Sequence, residues 1–269
     1  MTATELDLSR IEEFAGRLVG VLNDSFLALS ISVGHQTGLF DTMAEMAPAT
    51  SAEIAKAADL DERYVREVLG ALTTGGITAY DPDLGTFVLP GEHAALLTRA
   101  AGVNNMAPLT QFVAVMGTVE QDIVTCFREG GGVPYSKFPI FHQVMAELSK
   151  DTVDAILVDE VIDLVDGLRD RLETGIEVVD IGCGAGYAMN VLARAFPNSR
   201  FTGFDIVSDV IERARAQAQE WELSNVTFEV RDVAALDVTE RFDLVTAFDV
   251  IHDQVDPIAV LDGVARATP

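Results

Sequence analysis

Residues 177–187 read Glu-Val-Val-Asp-Ile-Gly-Cys-Gly-Ala-Gly-Tyr, an apolar strand that reaches Asp180 and runs into glycines at 182, 184 and 186. Glycine tolerates positive φ and carries no Cβ, so a turn built this way lets backbone pass close to a ligand. The chemistry on offer is nucleotide binding, and the spacing decides which nucleotide. A dinucleotide turn reads G-x-G-x-x-G, its third glycine packing the helix on the strand. Tyr187 occupies that position here, which disfavours a nicotinamide oxidoreductase. Roughly 20 residues on, where an acid can accept ribose hydroxyls, Arg200-Phe-Thr-Gly-Phe-Asp205 ends in a carboxylate. A third apolar stretch, Val226-Thr-Phe-Glu-Val-Arg-Asp232, ends in another. A fourth, Phe242-Asp-Leu-Val-Thr-Ala-Phe-Asp249, leads into Val-Ile-His252-Asp253-Gln254. His252 is thereby carried to the ligand edge of a sheet, where an imidazole, titrating near neutrality, suits proton transfer. Its structural alternative is to cap the strand end or bond a backbone carbonyl.

These residues need elements to hold them. Between the stretches the apolar period changes from two to about 3.6 residues, as parallel strands with crossover helices require. Tyr187–Phe196 places Ala188, Val191, Leu192 and Ala195 on one face and is stopped by Pro197. Ser208 is the expected cap of a second helix running through Val210, Ile211, Ala214 and Ala218 to about Leu223. Pro257 opens a further helix towards Pro269. Strand and helix in alternation give an open α/β sheet with its ligand at the carboxyl ends of the strands.

The G-x-G-x-G run of Gly182, Gly184 and Gly186, with Asp180 two residues ahead, resembles the first motif of class I S-adenosylmethionine-dependent methyltransferases. The whole chain resembles the bacterial relatives of their winged-helix-containing small-molecule O-methyltransferases. The resemblance implies a Rossmann-like sheet and S-adenosyl-L-methionine as cofactor. The cofactor would be held by Asp180, Gly182, Cys183, Gly184 and Gly186 at the turn, and by Asp205 and Ile206 at the ribose. Asp232 and Val233 would meet the adenine, with Phe248 and Asp249 at the fourth strand. His252 would remove the acceptor's hydroxyl proton during methyl transfer, the in-line alignment of donor and acceptor being the rest of the task. The plant-like pattern continues with Trp after His-Asp, whereas this chain has Gln254, and the family's base-orienting acid lies further downstream. A complete sheet of this family has seven strands, so four strands ending at Pro269 imply a C-terminally incomplete protein. An exposed fourth-strand edge would then promote self-association.

Upstream, Thr50-Ser-Ala-Glu53 is a capping box opening a short helix through Ile54, Ala57 and Ala58. Asp61 caps a second, Glu62 to Thr74, which ends at Gly75-Gly76. Ile77-Thr-Ala-Tyr80 and Thr86-Phe-Val-Leu89 form a hairpin across Asp81-Pro-Asp-Leu-Gly85. Two helices and a wing make a winged helix-turn-helix. DNA is a poor partner for it: the net charge is -25, and the would-be recognition helix offers Arg63 and Arg66 beside Asp61, Glu62 and Glu67. The resemblance implies homodimerisation through this domain, aided by apolar stretches such as Phe26–Val33. Ile31–Leu39 with Phe40 matches the family's lead into the winged helix, and His35, His93 and His142 read as core or interface histidines.

Residues from about 102 to 174 form a helical connector broken by Glu129-Gly-Gly-Gly-Val-Pro-Tyr-Ser-Lys-Phe-Pro139, a lid-like loop. The family has a similar segment lining its acceptor pocket, which puts Tyr135, Phe138, Phe141 and Met145 there; ordinary packing is the alternative. The expected division is residues 1–100 for the N-terminal helices and winged helix, 101–173 for the connector and 174–269 for the cofactor domain. Two cysteines, Cys126 and Cys183, are too few for a disulfide framework or zinc site, and no metal is expected. Met1-Thr-Ala-Thr-Glu-Leu-Asp7 lacks the pattern of a signal peptide, and no apolar run suggests a membrane span. The expectation is a cytoplasmic methyltransferase acting on a small molecule; the alternative is a winged-helix regulator that senses S-adenosylmethionine without catalysis.

Overall fold

The computed structural model describes residues 6–151 and 156–269, so the start of the chain, read above for a signal peptide, lies outside the described residues. The chain divides into two compact units, Met1–Val144 and Met145–Pro269, and the expected connector is shared between them.

In the N-terminal unit, α1 (Leu8–Gln36) is followed by α2 (Leu39–Ala44), α3 (Ser51–Ala58) and α4 (Glu62–Thr74). The capping box forms as read: the Thr50 amide donates to the Glu53 carboxylate at 2.9 Å while the Glu53 amide donates to Thr50 Oγ1 at 3.4 Å. Asp61 caps α4 through the Arg63 amide at 3.0 Å. The wing is β1 (Ala79–Asp81) paired antiparallel with β2 (Thr86–Val88), shorter than the expected hairpin, with Tyr80 opposite Phe87. Leu39, Phe40, Ile54, Leu69 and Leu72 are buried in one core, each worth about 1.5–3 kcal/mol when fully removed from water. His35 is buried, and His93 bonds the Ile77 carbonyl at 2.8 Å, the core role read for them. By length and composition alone α1 could cross a membrane, with mean hydropathy 1.3 over an 18-residue window that is 17% buried. Charged residues such as Arg17 and Asp24 interrupt its apolar run, whereas a window average tolerates one or two of them.

The C-terminal unit is a four-stranded parallel sheet in the order β5-β4-β3-β6, with β3 at Glu177–Ile181, β4 at Arg200–Asp205, β5 at Val226–Val230 and β6 at Leu244–Thr246. Parallel strands are covered on both faces, and β3 and β4 are accordingly buried over residues 178–181 and 201–204. Val178 and Phe201 face a cluster with the helices Tyr187–Ala195 and Ser208–Glu220. Val179, Ile181 and Phe204 face another with Phe242 and the helix Pro257–Ala267. Three local readings change. Ser208 is the first residue of its helix rather than the cap: Val207 precedes the helix and makes no side-chain cap, while Ser208 Oγ bonds its neighbour Asp209 at 3.3 Å. That helix ends at Glu220 rather than near Leu223. β6 covers only Leu244–Thr246 of the expected Phe242–Asp249, and Asp249 beyond it turns the chain with φ +55.

Candidate functional site

The carboxyl ends of the four strands build the site around the glycine turn. Gly182, Gly184 and Gly186 all take positive φ, +69, +52 and +70, but for different reasons. A Cβ on Gly182 would stand 2.2 Å from Val250 Cγ2, and one on Gly186 would stand 2.5 Å from Ala214 and Phe228. These two glycines are required by packing. A Cβ on Gly184 would meet nothing within 4 Å, so the middle glycine combines left-handed backbone with open space. The Phe204 carbonyl gathers the turn from below, accepting from the Gly182 amide at 2.8 Å and the Cys183 amide at 2.9 Å.

Asp205 closes the far side. Its Oδ2 accepts from the Gly184 amide at 2.9 Å and its Oδ1 from the Val207 amide at 2.9 Å, so the carboxylate is fixed against the glycine turn. Ile206 beside it is 60% exposed. Asp180 at the end of β3 is buried, and Thr246 Oγ1 of β6 donates to it at 2.7 Å. Cys183 is turned into the fold, packed against the helix-side core. Burial pushes its thiol well above the ordinary range, the nearby carboxylates of Asp180 and Asp205 adding to the effect, so it acts as a small neutral group. Asp232 is exposed and caps the turn Val233–Ala235 through the Ala234 amide at 2.9 Å. Val233 is buried in the other core, which leaves the Asp232 carboxylate and local backbone for a ligand.

The segment after β6 lies directly on the turn, since Val250 is the residue that fills the space beside Gly182. Two residues on, His252 is exposed between two acids, its Nδ1 3.6 Å from Asp249 Oδ1 and its Nε2 3.3 Å from Asp253 Oδ1. Ala247, Asp249, Val250, Ile251, His252 and Pro257 line a depression of about 440 Å³. Phe248 is half-buried against the helix-side core. The fold thus brings together the turn, Asp180, Asp205 and the His252 segment. Thr246 and Val250 were missed in the sequence: a β-branched residue in or after a strand carries no signal of contact with a glycine turn 66 residues earlier.

The aromatic residues read as an acceptor wall gather in the N-terminal unit. Tyr135 lies 5.5 Å from Phe141 between ring centroids and Phe138 lies 5.8 Å from it, with Phe112 at 6.0 Å on another side. Their mutual packing realises the alternative reading at least in part. Met145, half-buried, begins the C-terminal unit.

A methyltransferase domain family matches residues 172–268, and a winged helix-turn-helix domain family, described as Rv2258c-like, matches residues 25–99. Residues 172–268 are a methyltransferase domain. The solved structure of the mitomycin 7-O-methyltransferase MmcR is similar to the chain with a TM-score of 0.69 at 19% identity, covering 98% of this chain and 79% of that one. Human N-acetylserotonin methyltransferase in complex with SAM is similar with a TM-score of 0.66 at 17% identity, covering 100% and 79%. At these identities the likeness is one of fold. A malonyl-[acyl-carrier protein] O-methyltransferase of Acetivibrio thermocellus is 34% identical over 82 residues, 30% of this chain and 28% of that protein. A mitochondrial ubiquinone biosynthesis O-methyltransferase of Candida albicans is 30% identical over 103 residues, 36% of this chain and 32% of that protein. The chain thus matches less than a third of the length of either relative.

Proposed function

We propose that this chain is an S-adenosylmethionine-dependent methyltransferase that acts on a small molecule through a hydroxyl oxygen, with His252 as general base. The observation that carries this reading is Gly184, whose positive φ and open flank leave a cradle for a nucleoside between Asp180 and Asp205. The oxygen acceptor is supported by the relatives and structural neighbours, which are named O-methyltransferases for malonyl-acyl-carrier protein, ubiquinone biosynthesis and mitomycin.

When bound, S-adenosylmethionine supplies an electrophilic methyl group on a sulfonium. Asp205, held by two amides, would accept the ribose hydroxyls beside Ile206, and Asp232 would meet the adenine. His252 takes the acceptor's hydroxyl proton on a ring nitrogen, and Asp249 and Asp253 flank the imidazolium that results. Phe248 supports this segment from the core side, and Tyr135, Phe138, Phe141 and Met145 remain the proposed acceptor wall.

Calorimetric titration with S-adenosylhomocysteine tests the donor site without an acceptor. Saturable binding at one site per chain is expected. Asp205→Ala should weaken it by about 10- to 100-fold, the worth of hydrogen bonds to a charged group; unchanged affinity would remove Asp205 from the ribose.

The chain is further proposed to be a cytoplasmic homodimer joined through the N-terminal unit, and not to bind DNA. Ile11, Phe14, Leu18, Leu22 and Phe26 recur at helical spacing along α1 and are 47–63% exposed, an apolar stripe that a second copy would cover. Against DNA stand the net charge of -25 and the pairing of Arg66 with Glu62 at 3.6 Å. Light scattering in detergent-free buffer should give twice the chain mass, and Phe14→Asp combined with Leu18→Asp should halve it. A wild-type mass of one chain would refute the dimer, and recovery only in detergent would favour a membrane for α1.

A further inference from the structure

Sheet register places Thr246 opposite Asp180, Asp180 opposite Gly203 and Gly203 opposite Phe228, one row running across all four strands immediately beneath the glycine turn. Each position in that row has a task. Gly203 lacks a side chain, and a Cβ there would stand 2.5 Å from Phe228 Cδ1 and 2.7 Å from Cys183 Sγ. The row therefore packs tightly on one side of Asp180. On the other side stands the Thr246 hydroxyl, 2.7 Å from Asp180 Oδ1. The same hydroxyl lies 3.5 Å from the Val179 carbonyl, but it has one proton to donate, and the shorter, charge-assisted contact takes it.

We infer that Thr246 is a positioning residue for the donor site: its hydroxyl holds the Asp180 carboxylate in one orientation at the end of β3, directly beneath the glycine turn. Asp180 is 2% exposed, so its carboxylate depends on fixed donors rather than on water for its orientation. Thr246 is the last residue of β6, and the segment that follows it runs through Asp249 to the turn that holds His252, so a single hydroxyl ties the end of β3 to the strand that precedes the proposed base. A valine has the same shape and would fill the same space without donating. The inference rests on the donor-site reading above, and its test separates the two.

S-adenosylhomocysteine titrations of the wild-type chain, Thr246→Ser, Thr246→Val, Asp180→Asn and the Thr246→Val/Asp180→Asn pair, each with a thermal melt, supply that test. Thr246→Ser should bind like wild type and Thr246→Val roughly 10-fold more weakly, the scale of one hydrogen bond to a charged group. In the Asp180→Asn background the Thr246→Val change should have little further effect, since partners in one interaction are non-additive. A purely structural threonine would lower the melting temperature of Thr246→Val while leaving its affinity, and additivity with Asp180→Asn, intact; that result would overturn the proposal. If Thr246→Val does not melt cooperatively, Thr246→Ala takes its place. Absence of binding by a cooperatively melting wild-type chain would overturn the donor-site reading and the inference with it.

Discussion

Gly184→Ala and Gly186→Ala are expected to fail in opposite ways. At Gly186 an alanine must adopt φ +70 and drive its Cβ to 2.5 Å from Ala214 and Phe228. The left-handed backbone costs about 1–2 kcal/mol and overpacking adds roughly 1–3 kcal/mol, a large part of the ~5–15 kcal/mol that holds a typical domain together. The Gly186 variant should melt far below wild type or not accumulate in folded form. At Gly184 an alanine meets no protein atom within 4 Å, so only the backbone term applies. That variant should stay folded, yet lose S-adenosylhomocysteine affinity on the order of 100-fold, since an intruding methyl of a few kcal/mol of overlap would stand in the ligand's own space. Thermal melts and calorimetry on the pair decide the matter. A Gly184→Ala chain that binds as tightly as wild type would place the donor somewhere other than this turn.

His252→Ala carries the largest expected catalytic effect. With an acceptor in hand, turnover should fall by roughly 10²- to 10⁴-fold, the contribution of a positioned general base, while S-adenosylhomocysteine affinity stays near wild type. The separation follows from position: His252 is exposed beyond β6, whereas the groups that fix the turn are Asp205, the Phe204 carbonyl and Val250. A loss in turnover without a change in affinity marks an interaction made only in the transition state. Unchanged turnover would remove His252 as base and shift attention to the other groups of the depression it lines.

Much of this arrangement is legible from residue order because local rules and the fold agree where they were applied. The capping box at Thr50–Glu53, the Asp61 cap and the strand-ending acids Asp180 and Asp205 all sit where their patterns put them. The misses share a cause. Ser208 has the right residue type for a cap, but the Val207 amide is already committed to Asp205, which sets the turn one residue differently. β6 stops at Thr246, and Asp249 takes a left-handed turn, neither of which the order of apolar residues encodes. Thr246 and Val250 matter through contacts with residues remote in sequence, and no period or spacing announces such a pair. Two kinds of glycine also share one motif: the letters at 182, 184 and 186 are identical, and only the surrounding atoms separate packing from ligand space.

The strand order has a kinetic side. β3 meets β4, and β4 meets β5, each after one crossover, but β6 must return past both to pair with β3, closing a span of 66 residues between Asp180 and Thr246. Loop closure grows costlier with length, and pairings remote in sequence form late. With three residues in register against five in each of the other two pairings, β6 is the strand with the shortest pairing in the sheet. The proposed base is therefore carried by the least anchored part of a sheet whose other strands already hold the turn.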